Sequence, residues 1–98
     1  MTTLSYAQRL LERATAALSV SDEDLIYKGI AAGVSERIIT LKKAAARLQA
    51  NYGSVEDLER KIKNEGISPH DHTVYTDLLE WRAINHEMTE LIHLLEAL

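Results

Sequence analysis

Ninety-eight residues, 46% of them hydrophobic and 27% charged, are enough for one soluble helical or mixed domain and exclude a disordered tail. The chain has no cysteine, which removes disulfides, thiol catalysis and cysteine metal clusters together and fits a reducing compartment. The formal charge of −4 is unevenly shared: residues 1–50 carry seven basic and five acidic side chains, residues 51–98 four and ten. An acidic second half disfavours nucleic acid and suits a basic protein partner, or plain solubility.

The first helix is expected over about 4–18, with Leu4, Leu11, Ala14 and Leu18 on one side and Arg9, Glu12 and Arg13 on the other. Ser19-Val20-Ser21-Asp22 breaks it, and Ser21 followed by Asp22, Glu23 and Asp24 is a strong start signal for the next. The second helix is expected over 22–51, where Ile26, Ile30, Val34, Ile38, Leu41, Ala45, Leu48 and Tyr52 keep a three-and-four spacing. Gly29 and Gly33 interrupt it, each costing about 1 kcal/mol against alanine in a helix interior. The apolar series passes through them without a change of phase, so continuity is expected, with another helix packed on the smooth patch. The other reading ends a helix at Gly33 and restarts it at Ser35. Lys42, Lys43 and Arg47 form a basic outer strip.

Gly53-Ser54 is a stop and restart, with Glu56 and Asp57 in the first turn of a short third helix over 55–64. Gly66 closes it, and residues 67–72 are irregular, although Ser68, Pro69 and Asp71 also fit a helix start. The last helix is expected over 73–97. Its apolar positions, Val74, Leu78, Trp81, Ile84, Met88, Leu91, Leu95 and Leu98, form one continuous stripe with a near-seven-residue repeat. Asp77, Glu80, Arg82, Glu87, Glu90 and Glu96 fall beside or opposite it.

Four histidines invite a metal reading. His70-Asp71-His72 lies in a loop near Asp77, and His86, Glu90 and His93 share one helical face. A working site needs three or four converging ligands with outer support, and nothing else converges, so exposed histidines and no metal are expected. No glycine-rich phosphate loop and no serine at a strand-to-helix elbow is present, so no enzyme and no cofactor are expected.

A DNA-binding alternative rests on Gly33-Val34-Ser35 followed by Glu36, Arg37, Ile38 and Ile39, which looks like the turn and recognition-helix start of a helix-turn-helix. Arg37, Lys42, Lys43 and Arg47 would then meet phosphates. Lys28 and Lys42 stand where that motif needs buried apolar side chains, which makes this the second choice.

From Leu48 onward the chain resembles a group of small helical prokaryotic proteins, many thought to be antitoxins of toxin–antitoxin gene pairs. The resemblance lies in Tyr52-Gly53-Ser54, the acidic Val55-to-Ile62 segment and Asp77-Leu78-Leu79-Glu80-Trp81-Arg82. It implies an acidic helical neutraliser of a basic, nuclease-like toxin.

The expectation is an all-α domain of four helices in which the second and fourth make a long antiparallel hairpin, forming a dimer. Its function would be non-enzymatic protein binding. Trp81, Met88, Leu91 and Leu95 would be packing or docking anchors, and Asp77, Glu80 and Glu87 would offer charge to a basic partner. A purely structural homo-oligomer is a further possibility. No secretory signal is read in MTTLSYAQRLLER, and no apolar run nears the roughly 20 residues of a membrane span, so a cytoplasmic location without membrane contact is expected.

Overall fold

A computed structural model describes residues 5–98, so Leu4 lies outside the described part. The fold is all-α, with four helices in chain order: α1 (Tyr6–Leu18), α2 (Asp22–Tyr52), α3 (Val55–Glu65) and α4 (Thr73–Ala97). Each boundary has a local chemical cause. Ser5 opens α1 with a capping box, its side chain accepting from the Gln8 backbone N–H while the Gln8 side chain accepts from the Ser5 backbone N–H. Ser19 closes it in the left-handed region at φ 55°, its own N–H returning to the Thr15 carbonyl. Ser21 and Ser54 cap α2 and α3 by the first half of that pattern, each Oγ accepting a backbone N–H three residues on at 3.0 Å.

Gly53 ends α2 at φ +90°, where an added Cβ would stand 2.7 Å from Asp57 Oδ2. The positive φ favours glycine there, and the nearby Asp57 carboxylate would have to swing aside for any side chain. The Ser68-Pro69 start signal is not used. Helix α4 begins instead at Thr73, whose N–H donates to Asp71 Oδ1 at 2.9 Å. The Thr73 hydroxyl, and after it that backbone contact, hold the Asp71 carboxyl below its usual range.

Helix α2 runs unbroken through Gly29 and Gly33. It lies antiparallel to α4: Arg37, Arg47 and Tyr52 meet Glu87, Glu80 and Asp77 in turn. The core sits where α3 joins that pair. There Leu41 and Leu48 of α2, Leu58 of α3, and Leu78, Trp81 and Ile84 of α4 form one buried cluster. Leu48 and Leu58 are completely enclosed.

Helix α1 contacts α2 and no other helix among the described residues, and none of its residues is buried. The molecule is consequently long, 64 × 27 × 19 Å, with a radius of gyration of 20.7 Å. A compact chain of this length has a radius of gyration of about 13 Å.

Candidate functional site

The acidic and basic residues expected to face outside partners face each other. Arg37 Nε and Nη2 donate to Glu87 Oε1 and Oε2 at 3.1 and 2.9 Å, a two-pronged contact across α2 and α4. Glu87 thereby raises the Arg37 pKa, chiefly through this hydrogen bond. Arg47 Nη2 reaches Glu80 Oε1 at 3.1 Å. The Tyr52 hydroxyl donates to Asp77 Oδ2 at 2.6 Å, which pushes the phenol up to about 12. Arg82 of α4 reaches back to Glu59 of α3 at 3.1 Å.

These contacts give the charged flanks a role within the chain that single helices do not reveal. The antiparallel register brings the basic flank of α2 onto the acidic flank of α4, so Asp77, Glu80 and Glu87 brace the hairpin. Only Lys42 and Lys43 of the basic strip remain on the outer face without such a role. The DNA-binding alternative also lacks its turn, because residues 33–35 are ordinary helix.

The apolar candidates divide by depth. Trp81, 6% exposed, lies inside the core cluster and belongs to packing, not to an outer docking face. Met88 and Leu91 are half-buried against that cluster, and Leu95 is half-buried near the end of α4. Along the stripe the cover thins from Ile84, 6% exposed, to Leu98, 44%, and the flanking Ile92 and Leu94 are each 44% exposed.

Helix α2 shows the same gradient in the opposite chain direction. Val34 is 8% exposed, Ile30 is 39% and Ile26 is 48%, on successive turns four residues apart. Running the antiparallel register onward from Arg37 and Glu87 sets Leu91 and Leu95 alongside the 29–33 stretch of α2. Both stripes therefore emerge at one end of the hairpin. At the other end α3 supplies the third wall, whereas α1 leans on α2 alone.

Sequence reading had placed Ile26 and Ile30 in the stripe but had not separated the covered half from the bare one. Ile92 and Leu94 were missed because the strict heptad of α4 passes over them. Their signal was the leucine-rich run LIHLLEAL, apolar on more than one side. Gly29 and Gly33 lie in the same region, and a Cβ built on either meets nothing within 4 Å. Among the described residues, no helix packs closely enough on that patch to touch such a Cβ.

No three His, Cys, Asp or Glu side chains gather where they could hold a metal among the described residues. A groove of about 350 Å³ lies between the end of α3 and the start of α4, lined by Lys61, Ile62, Glu65, Ile67, Pro69 and Tyr75 among others. None of the expected partner-binding residues borders it. No described helix is long and apolar enough to cross a membrane.

The chain belongs to the Uncharacterized protein MJ0235 family, whose model matches residues 1–98. No curated protein and no solved structure matches it.

Proposed function

We propose that this chain is a non-enzymatic helical interaction module whose docking surface is the open end of the α2–α4 hairpin. The observation behind this reading is the paired gradient of exposure, Val34 to Ile26 on α2 and Ile84 to Leu98 on α4. Two apolar stripes that continue in register past the last covering helix leave a contiguous patch, and patches of that kind mark protein contacts. The bracing role of Asp77, Glu80 and Glu87 moves the surface away from the acidic flank of α4 and onto its apolar end.

An antitoxin-like role is the specific form of this reading, and it rests on the sequence resemblance and on the acid excess of residues 51–98. Its partner would be a small basic protein steered in by charge. A cytoplasmic location accompanies that proposal. Co-expression of the untagged chain with the product of its adjacent gene, followed by mass analysis of the purified species, tests it. A stoichiometric complex with a basic protein is expected, and a chain that purifies only with itself sinks the antitoxin form. The broader reading fails if Ile30→Asp combined with Leu94→Asp, still helical, changes no association with itself or another protein.

A further inference from the structure

The open end needs cover, and the dimensions of the molecule say what kind. The chain exposes 7395 Å². Compact folded chains of 11.0 kDa expose about 5,600 Å², so the excess here is about 1,800 Å². Stable obligate dimers bury about 2,000–5,000 Å² in total, or about half of that from each copy. The surplus on one copy is therefore of the size that one symmetric interface removes.

The geometry points to a second copy of this chain as the occupant of the open end, and this inference rests on the interaction-module reading above. At that end two antiparallel helices present an apolar layer that no described helix buries, α1 touching α2 alone. A second layer of the same kind, turned by a two-fold axis, completes a four-helix cross-section in which each stripe faces another. Ile26 and Ile30 of α2 and Leu94 and Leu98 of α4 would then leave water in both copies. The closed end cannot serve, because Leu58 of α3 already fills the corresponding place. The patch itself is apolar, and the acids at the same end, Asp22, Glu23 and Asp24 of α2 and Glu90 and Glu96 of α4, are exposed. Any basic protein would then meet the acidic outer faces of the assembled pair.

The test is the mass of the purified full-length chain in solution, by light scattering and sedimentation at micromolar concentration. A dimer of twice 11.0 kDa is expected. Ile30→Asp with Leu94→Asp should convert it to a monomer that keeps its helical circular dichroism. Leu79→Asp, an equally exposed site toward the closed end, should leave the dimer intact.

If the double variant does not fold, amide exchange on the unaltered protein decides. Protection in residues 24–33 and 89–97 should rise with concentration, while 41–52 should not respond. A monomeric chain, or a dimer broken by Leu79→Asp and not by the open-end pair, overturns the inference. A monomer that nonetheless binds the adjacent gene's product through Ile30 and Leu94 overturns the second copy and leaves the interaction module standing. If neither association occurs, both fall.

Discussion

The phenol of Tyr52, the last residue of α2, donates a 2.6 Å hydrogen bond to Asp77 in the second turn of α4. This contact closes the hairpin across the α3 excursion, and it lies at the edge of the core where solvent is partly excluded. The hydrogen bond favours the protonated phenol, which is why its pKa rises from 10.0 to about 12. The folded-state value stands above the unfolded one, so the stabilisation is fully present below about pH 10 and is lost as pH climbs toward 12. Tyr52→Phe should cost about 1–2 kcal/mol at neutral pH, since the bond is to a charged acceptor. Urea midpoints measured from pH 8 to 12 should fall more steeply for the unaltered protein than for the phenylalanine variant, whose alkaline loss from this pair is absent.

The two ends of the hairpin should differ sharply when apolar side chains are cut back. Leu48→Ala and Leu58→Ala each open a cavity in a fully enclosed cluster and should cost about 2–5 kcal/mol, with Trp81→Ala at about 3–5 kcal/mol. Leu94→Ala, 44% exposed, should cost under about 0.5 kcal/mol in the monomeric chain. Equilibrium unfolding of the four variants, with Leu94→Ala measured at high dilution, reads the contrast directly. Equal losses at Leu58 and Leu94 would mean that the open end is already covered within one chain.

Glycine positions offer a third contrast. Gly29→Ala and Gly33→Ala add a methyl to a helix interior with nothing within 4 Å, so each should stabilise the folded monomer by about 0.5–1 kcal/mol. Gly53→Ala puts a Cβ on a residue at φ +90° and against Asp57, and should destabilise by more than about 1 kcal/mol. Thermal melts of the three variants would show opposite signs. A destabilising Gly29→Ala that leaves the monomer unaffected but weakens a dimer would place a second helix on that patch.

The Arg37–Glu87 contact should matter little despite its two-pronged geometry. Both side chains are about half exposed, so water and salt compete with the pair. A double-mutant cycle with Arg37→Ala and Glu87→Ala should return a small favourable coupling that shrinks as salt is added. A large coupling that ignores salt would require the pair to be buried by a partner.

Particular residues show how far the sequence could be read. The serine–acid starts at Ser21 and Ser54 and the glycine stop at Gly53 are local chemistry, visible within a few residues, and all three stand where they were expected. The Ser68-Pro69 signal is equally local and was outcompeted by the Asp71 contact to Thr73, a choice between neighbours that composition alone does not rank. The spacing of Leu41, Leu48, Leu78, Trp81 and Ile84 marked one buried face on each long helix, and those faces do meet. The pairing of charges across the helices was not legible in the sequence, for a physical reason. A flank that looks solvated on an isolated helix becomes an inter-helix clasp once a register is chosen, as Arg37, Arg47 and Tyr52 show against Glu87, Glu80 and Asp77.

By itself, then, the chain's order of residues determined four helices, the boundaries at Ser21, Gly53 and Ser54, and the stripe by which α2 and α4 would face one another. Those features depend on neighbours within about one or two turns, where hydrogen bonding and side-chain spacing decide the outcome. Only the tertiary structure decided that α3 covers one end of the pair while α1 stays on α2. The bare stretch from Ile26 to Ile30 beside Leu94 and Leu98 follows from that placement, because exposure depends on which helix lies across a stripe and not on the stripe itself.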